Sequence, residues 1–398
     1  MALYMTFIKS PIKSPRRYLL VSLEEERKLK QALESKTDSE SNRLKRYIAM
    51  PDLTRAEGSP LKTIVEIVLN LPSLKDFDII DTPEIISPEV VFDLFNFPKD
   101  HPARSRSDTY YTDSIHILRP HTSLMWKYYL ENPEIKKKLE ENGAVGAVCY
   151  GKVYRKDEID WQHSNVLHHF DGLFVCRKDI KEITQVDLEN ICSEVTISLL
   201  GKNMEKDFRV DHFPYTDPSV EMNIKWGDKW VEVNGAGLVH PQVIKNLGLD
   251  PNIYNGWAFG FGVDRLAMLK MKIPDIRLLW SKDERVTRQL KDINNIYQPV
   301  SKYPPVIMDI SFIVDKKDFN SNRYYELIRE VAGNDMVEEA KLLDNYDDPK
   351  KFGSDKISYT YRIVYRSNER TLTNDEVSKI HNELYKQTAE QFKAELRV

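Results

Sequence analysis

The alternation of apolar and polar positions changes character along the chain. Residues 24–50 are charge-rich and helical in pattern (Glu24-Glu25-Glu26-Arg27-Lys28-Leu29-Lys30-Gln31). Their apolar content is so low that the pattern predicts an exposed helix or tail, not a core element. From Ser59 onward Leu61, Ile64, Val65, Ile67, Val68 and Leu71 recur at helical spacing and make an apolar face, which Pro72 ends. Phe77, Ile79 and Ile80 then alternate as a strand that runs into Asp81-Thr82-Pro83-Glu84. Between 85 and 300, strand-like runs follow one another at 147–155, 170–177 and 229–234, without an alternating strand–helix rhythm. That predicts an α+β fold built on an antiparallel sheet flanked by helices.

Pro299, Pro304 and Pro305 bracket a connector, which places a domain boundary near 300. Beyond it, Val306–Val314 reads as a strand, Arg323–Val331 as a helix, Val337–Leu343 and Ser358–Tyr365 as strands, and Asp375–Leu396 as a long helix. The order β-α-β-β-α predicts a ferredoxin-like C-terminal domain. The expected division is a basic and charged extension over 1–50, a large domain over 51–298 and the small domain over 303–398.

Composition changes this picture little. The 398 residues are 41% hydrophobic and 30% charged, as in ordinary globular proteins. A net charge of −4 offers no global basic field, so any nucleic-acid contact rests on local patches. Cys149, Cys176 and Cys192 have no metal-binding spacing and read as reduced core thiols. No apolar run reaches the length of a membrane span. The first 23 residues carry Lys9, Lys13, Arg16 and Arg17 and no acid. They read as a basic disordered tail, with a faint likeness to a mitochondrial presequence.

Three segments carry candidate chemistry. In Gly256-Trp257-Ala258-Phe259-Gly260-Phe261-Gly262-Val263-Asp264-Arg265, small residues let the backbone approach a ligand, and Arg265 offers a fork of donors to a phosphate. In Val153-Tyr154-Arg155-Lys156-Asp157, a strand ends in an arginine able to neutralise a phosphate, with acids and His163 behind it. In Phe213-Pro214-Tyr215 and the strand Trp230-Val231-Glu232-Val233-Asn234, aromatics can wall an apolar slot, and an inward-facing Glu232 can meet Mg²⁺. Each also has a plainer reading: a tight strand–helix junction, a salt-bridged strand end and an aromatic-filled core hairpin.

The first segment resembles motif 3 of the class II aminoacyl-tRNA synthetases, and the second resembles motif 2. The helix, strand and proline over 61–83 resemble motif 1, which usually forms a dimer interface. Leu94–Arg104, Leu118-Arg119-Pro120-His121-Thr122-Ser123, Phe213–Pro218 and Ile273–Arg277 occur in matching order. From about Ser59 to Leu290 the chain resembles phenylalanyl-tRNA synthetase, with segments like those of the bacterial α subunit. Residues 303–398 resemble the ferredoxin-fold anticodon-binding domain, in the arrangement of the single-chain organellar-type enzyme.

The resemblance implies a phenylalanine–tRNA ligase that uses ATP and Mg²⁺. It places Arg155 on the α-phosphate, Arg265 towards the γ-phosphate, His163 and Asp157 over the nucleotide and Glu232 on Mg²⁺. His121 and Ser123 meet the amino group and carboxylate of L-phenylalanine, Phe213 and Tyr215 clasp its ring, and Ala258 lies at the para edge. His169 and Asp171 stand where the family usually has Gln and Glu. Leu167 stands where an aromatic usually stacks on adenine, and Pro120 and Ala236 replace Thr and Cys. Arg366, Arg370 and the stripe Lys379, Lys386 and Lys393 are candidates for tRNA(Phe) phosphates, with aromatics on the open sheet stacking bases. Also expected are a monomer (a homodimer being the other option), no editing domain, no membrane, and a cytoplasmic location with the mitochondrial matrix as alternative. Two other readings stay open: a paralogue with a different amino-acid substrate, and an inactive RNA-binding regulator. Intact Arg155, Glu232 and Arg265 speak against the second.

Overall fold

The computed structural model describes residue 12 and residues 15–21, 24–158, 160–300, 303–333, 336–367 and 369–397. They divide into two compact bodies. The first comprises 1–154, 166–273 and 290–296; the second comprises 155–165, 274–289 and 297–398.

The first body is built on an eight-stranded sheet. Its strands are β1 (Tyr18–Leu20), β2 (Asp78–Asp81), β3 (Ala144–Tyr154), β4 (Val166–Arg177), β5 (Lys206–Asp211), β6 (Thr216–Trp226), β7 (Lys229–Val239) and β8 (Tyr254–Gly262). Across the sheet the order is β1-β2-β3-β4-β8-β7-β6-β5. All pairs from β3 to β5 are antiparallel, while β1 and β2 add parallel pairings at one edge. Gly146 and Gly172 are where aromatic rings lie flat on the sheet. A Cβ at Gly146 would stand 2.5 Å from the Phe77 ring, and one at Gly172 2.5 Å from Phe259.

The apolar face read from Leu61 to Leu71 is helix α3 (Pro60–Leu69), capped by the Ser59 hydroxyl and with Leu61, Ile64, Val65 and Val68 buried. Before it come α1 (Glu24–Glu34) and α2 (Ser39–Ala49), and α4 (Gln185–Leu200) follows β4. The expectation of an exposed helix or tail over 24–50 is corrected in one respect: the segment is helical but contributes to the core. Sparse apolar positions still fall on one side, so Leu33, Leu44 and Tyr47 are buried, and Tyr47 packs edge-on against Tyr110 with centroids 5.4 Å apart. The disordered-tail expectation is corrected too. Arg16 donates to the main-chain oxygens of Leu69, Leu74 and Phe77, and residues 18–20 pair with β2. Lys9 and Lys13 lie outside the described residues.

A buried charge cluster ties these N-terminal helices to the sheet. The Lys152 ammonium donates to the carbonyls of Ile48 and Met50 at the end of α2 (2.7 and 2.8 Å) and pairs with Glu84 at 3.1 Å. Arg119 donates to Lys152 O (2.8 Å) and Thr82 O (2.6 Å), and Tyr154 donates its hydroxyl to Glu84. Burial alone would raise the Glu84 carboxyl, but Arg119, Lys152 and Lys30 outweigh it and bring it down to about 2. The three cysteines are buried thiols.

In the second body β9 (Val306–Asp315), α6 (Ser321–Ala332), β10 (Val337–Tyr346), β11 (Lys356–Tyr365), α7 (Asn374–Phe392) and β12 (Glu395–Arg397) form a four-stranded sheet ordered β10-β11-β9-β12. The order is β-α-β-β-α-β, one strand more than expected. Lys393 adopts a left-handed conformation (φ 51°) that ends α7, and the chain returns along β9 as β12 instead of continuing the helix to Leu396. The sheet aromatics Phe312, Tyr361 and Tyr365 lie on its covered side, buried in one core with Tyr324 and Phe392 of the two helices, and not on an open face as expected. The other face pairs Asp309 with Arg362 and Ser311 with Thr360. Among the described residues no helix is long and apolar enough to cross a membrane.

Breaking the buried cluster at one partner has a defined cost. Lys152→Met leaves the α2 carbonyls and Glu84 short of a donor, and is expected to destabilise the protein by about 3 kcal/mol in urea unfolding, near the low end for a broken buried pair because Arg119 and Lys30 still face Glu84.

Candidate active site

The amino-acid residues predicted from sequence converge in the first body. Ser123 follows the Arg119–Pro120 segment, and its hydroxyl donates to Asp171 Oδ2 at 2.7 Å. His169 Nδ1 lies 3.7 Å from Asp171 Oδ1. Asp171 is 1% exposed and leans on Gly260 of β8, where a Cβ would stand 2.7 Å from Oδ1. Gly260 therefore has a steric reason to be glycine: a side chain there would displace the carboxylate.

Beside this polar end lies an aromatic wall. The His121 ring meets Phe95 edge-on (5.7 Å), Phe95 meets Tyr215 edge-on (5.8 Å), and Phe213 stacks on Tyr215 (5.5 Å, 8° between planes). The Phe213 ring comes close to Gly235 of β7, 3.0 Å from where a Cβ would be. Ala258 is buried in the same apolar cluster as Phe95 and Trp126, with Tyr215 packed against it.

The candidate phosphate side of the first body is built by β8, β7 and β6. Arg265 lies in the first turn of helix α5 (Val263–Met271), directly after β8. It donates to Glu232 O at 3.0 Å and pairs with the Glu232 carboxylate at 3.3 Å. Glu232 does not face inward as the sequence suggested; its side chain is about half exposed, on the open side of β7. Sequence reasoning missed its neighbour Glu221, on β6. Burial, then the Glu232 and Asp211 carboxylates, push the Glu221 carboxyl up to about 7. Its only sequence signal was an acid set between apolar residues (Val220, Met222) in a strand, and without the β6–β7 register nothing joined it to Glu232. Among the described residues no group of three or more side chains forms a metal cage. Two crowded carboxylates suit Mg²⁺, which takes one or two protein carboxylates and keeps its other positions for water and phosphate oxygens.

Arg155, Asp157 and His163 stand in the second body, in the loop 155–165 that joins β3 to β4. Arg155 falls one residue beyond the strand, its N–H donating to Asn165 O at 3.0 Å. His163 Nδ1 lies 2.8 Å from Asp160 Oδ1. Helix α6 grips this loop. Asn165 Nδ2 donates to Glu326 Oε1 (2.5 Å), and Arg329 donates to the main-chain oxygens of Asp157 (3.1 Å) and Glu158 (2.8 Å).

The candidate tRNA contacts are spread out. Lys379 and Lys386 are exposed on α7, whereas Lys393 has left the helix, so the three do not share one helical stripe. Arg366 pairs with Glu338 and donates to Tyr303 O (2.9 Å), and Arg370 pairs with Glu376.

Comparison with known proteins agrees with this architecture. Residues 47–290 match the family of tRNA synthetases class II core domain (F), and residues 301–397 match the ferredoxin-fold anticodon binding domain. The chain is 36% identical over 335 residues to the mitochondrial phenylalanine–tRNA ligase of Mus musculus, covering 75% of this chain and 70% of the relative. It is 37% identical over 327 residues to the chloroplastic/mitochondrial phenylalanine–tRNA ligase of Arabidopsis thaliana, covering 80% and 72%. It is 34% identical over 256 residues to the phenylalanine–tRNA ligase alpha subunit of Clostridium novyi, covering 61% and 72%.

The crowded acids set a pH dependence. A carboxyl at about 7 when folded and 4.5 when free takes up a proton on folding between those values, so stability falls as pH rises through that window. In metal-free protein Glu221→Gln should raise the melting temperature at pH 8 and change it little at pH 5, as read by calorimetry. Added Mg²⁺ should narrow the difference at pH 8.

Proposed function

We infer that this chain, which belongs to the phenylalanine–tRNA ligase family of class II aminoacyl-tRNA synthetases, activates L-phenylalanine with ATP and transfers it to the 3′ end of tRNA(Phe). We read 51–298 as the catalytic domain and 303–398 as the anticodon-binding domain. The observation that carries the substrate reading is a polar end beside an apolar wall: the Ser123–Asp171 hydrogen bond next to Phe213, Tyr215 and Ala258. Asp171 and Ser123 hold the ammonium and carboxylate of the amino acid, with His121 and His169 completing that end. The stacked pair Phe213–Tyr215 clasps the benzyl group. Small, buried Ala258 leaves room for phenyl and offers no partner to a tyrosine hydroxyl, so selection rests on leaving that hydroxyl unpaired.

In the activation step the phenylalanine carboxylate attacks the α-phosphorus and pyrophosphate leaves. Both partners are anionic, so the protein contributes placed positive charge rather than a nucleophile. Arg155 takes the α-phosphate and Arg265 the far end of the triphosphate, with Asp157 and His163 over the nucleotide. Glu221 and Glu232 would hold Mg²⁺, which neutralises phosphate charge when bound. Single-chain organisation supports a monomer. The printed names of the Mus musculus and Arabidopsis thaliana relatives carry an organelle, so we read a mitochondrial or chloroplast location in place of the cytoplasmic one expected from the α-subunit-like segments.

ATP–pyrophosphate exchange across a panel of amino acids tests the substrate. Phenylalanine should support exchange at least tenfold better than tyrosine or leucine, and exchange with tyrosine but not phenylalanine would sink the reading. On the RNA side, Lys379→Glu should weaken tRNA binding at every salt concentration and lower the salt slope by about one.

A further inference from the structure

We propose that the turn over residues 52–56 belongs to the machinery that positions Arg265, acting through His168 and Asp264. The proposal rests on the reading above that Arg265 takes the triphosphate of ATP. The Leu53 N–H donates to His168 Nε2 at 3.1 Å. A main-chain amide can only donate, so Nε2 carries the lone pair and the ring proton sits on Nδ1, 3.0 Å from Asp264 Oδ1. Asp264 Oδ2 accepts the His168 N–H at 2.6 Å. The β4–β8 ladder ends with the pair His169–Gly262, so the Asp264 carboxylate takes the next strand amide in place of a main-chain carbonyl. His168 is 0% exposed and Asp264 1%, so water cannot replace a lost partner without cost.

The turn that supplies the Leu53 amide is itself fixed. Asp52 accepts from Thr54 N (2.9 Å) through its side chain and from the Arg55 and Ala56 amides (3.1 and 3.0 Å) through its carbonyl. Arg55 pairs with Asp81 at 3.2 Å and lies 4.7 Å from the Tyr150 ring centroid. Turn, imidazole and carboxylate thus set where α5 begins, and Arg265 is the next residue, its guanidinium on Glu232 O. His168 and Asp264 are positioning residues: they fix the helix start and leave the phosphate to Arg265.

The amides that the turn uses are those of 54, 55 and 56, so a proline at 53, the first position of the turn, keeps those bonds and replaces the donor to His168 with a ring methylene that faces Nε2. Leu53→Ala keeps that donor while shedding the side chain, and serves as the baseline. In pyrophosphate exchange Leu53→Pro is expected to raise KM for ATP about three- to tenfold over Leu53→Ala, the effect of one lost buried hydrogen bond, with KM for phenylalanine equal within twofold. Asp264→Asn gives a second reading that is independent of the turn. Deleting a negative charge beside an anionic ligand would by itself tighten binding, so a higher KM for ATP reports lost positioning. Equal KM values for ATP in Leu53→Pro and Leu53→Ala, or a parallel rise for both substrates, overturn the proposal. Should Leu53→Pro not fold, Asp264→Asn decides on the same criterion. Arg265→Ala separates the two claims. If it leaves KM for ATP at the parent value, the nucleotide reading fails; if it raises KM while Leu53→Pro does not, only the positioning role falls.

Discussion

Charges withdrawn from water are the constraint on which the catalytic body depends. Arg119, Lys152 and Lys30 surround Glu84, and the first two are nearly inaccessible. An uncompensated buried ion costs several kcal/mol, so none of the segments carrying these groups can move away alone. Those segments carry the residues proposed for the chemistry. Arg119 begins the loop that ends in His121 and Ser123. Lys152 lies three residues before Arg155. The carbonyls that Lys152 holds, Ile48 and Met50, lead straight into the turn at Asp52. A single network thereby fixes the segment before His121 and Ser123, the strand end before Arg155 and the N-terminal helices.

A second tension runs the other way. Glu221 and Glu232 repel each other across adjacent strands, which is unfavourable in the empty protein. Such a pair is relieved by a cation, whose remaining positions phosphate oxygens can fill. Arg265 bonded to Glu232 is the partner the protein supplies itself. Under the proposed function, nucleotide binding would exchange one set of ionic contacts for another at a site organised before its ligands arrive, which is where preorganised electrostatics draws its advantage.

Much of this was legible in the sequence because local rules carried it. The glycine-spaced strand before Arg265, the apolar face of α3 and the strands of the small domain follow from spacing alone. What was missed depends on register or on single backbone conformations. Glu221 and Glu232 lie eleven positions apart and become neighbours only once β6 and β7 pair. Strand β12 was hidden because nothing in Lys393 announces a left-handed turn. The aromatics of β9 and β11 alternate cleanly, but alternation does not say which face the helices cover, so base stacking was expected of open-sheet aromatics in general, whereas Phe312 and Tyr361 belong to the core. Leu33, Leu44 and Tyr47 were too sparse to suggest burial, and their partners are distant in sequence.

The small domain shows how such pairing bears on RNA recognition. Arg366 and Arg370 are basic in sequence, yet each already faces a glutamate. Exposed ion pairs are worth under about 1 kcal/mol, so a phosphate can take either arginine at little cost. The displaced Glu338 or Glu376 then stands beside the phosphate and repels it, which cancels much of the gain. Lys379 carries a smaller penalty of this kind, since it is exposed on α7 and the neighbouring acid Glu376 is already engaged by Arg370. With the aromatic rings committed to the core, stacking is no longer available from the centre of the sheet. Under the proposed function, recognition by this domain would fall on the α7 lysines and on the polar pairs Asp309–Arg362 and Ser311–Thr360 of the uncovered face, groups suited to backbone and base-edge hydrogen bonds.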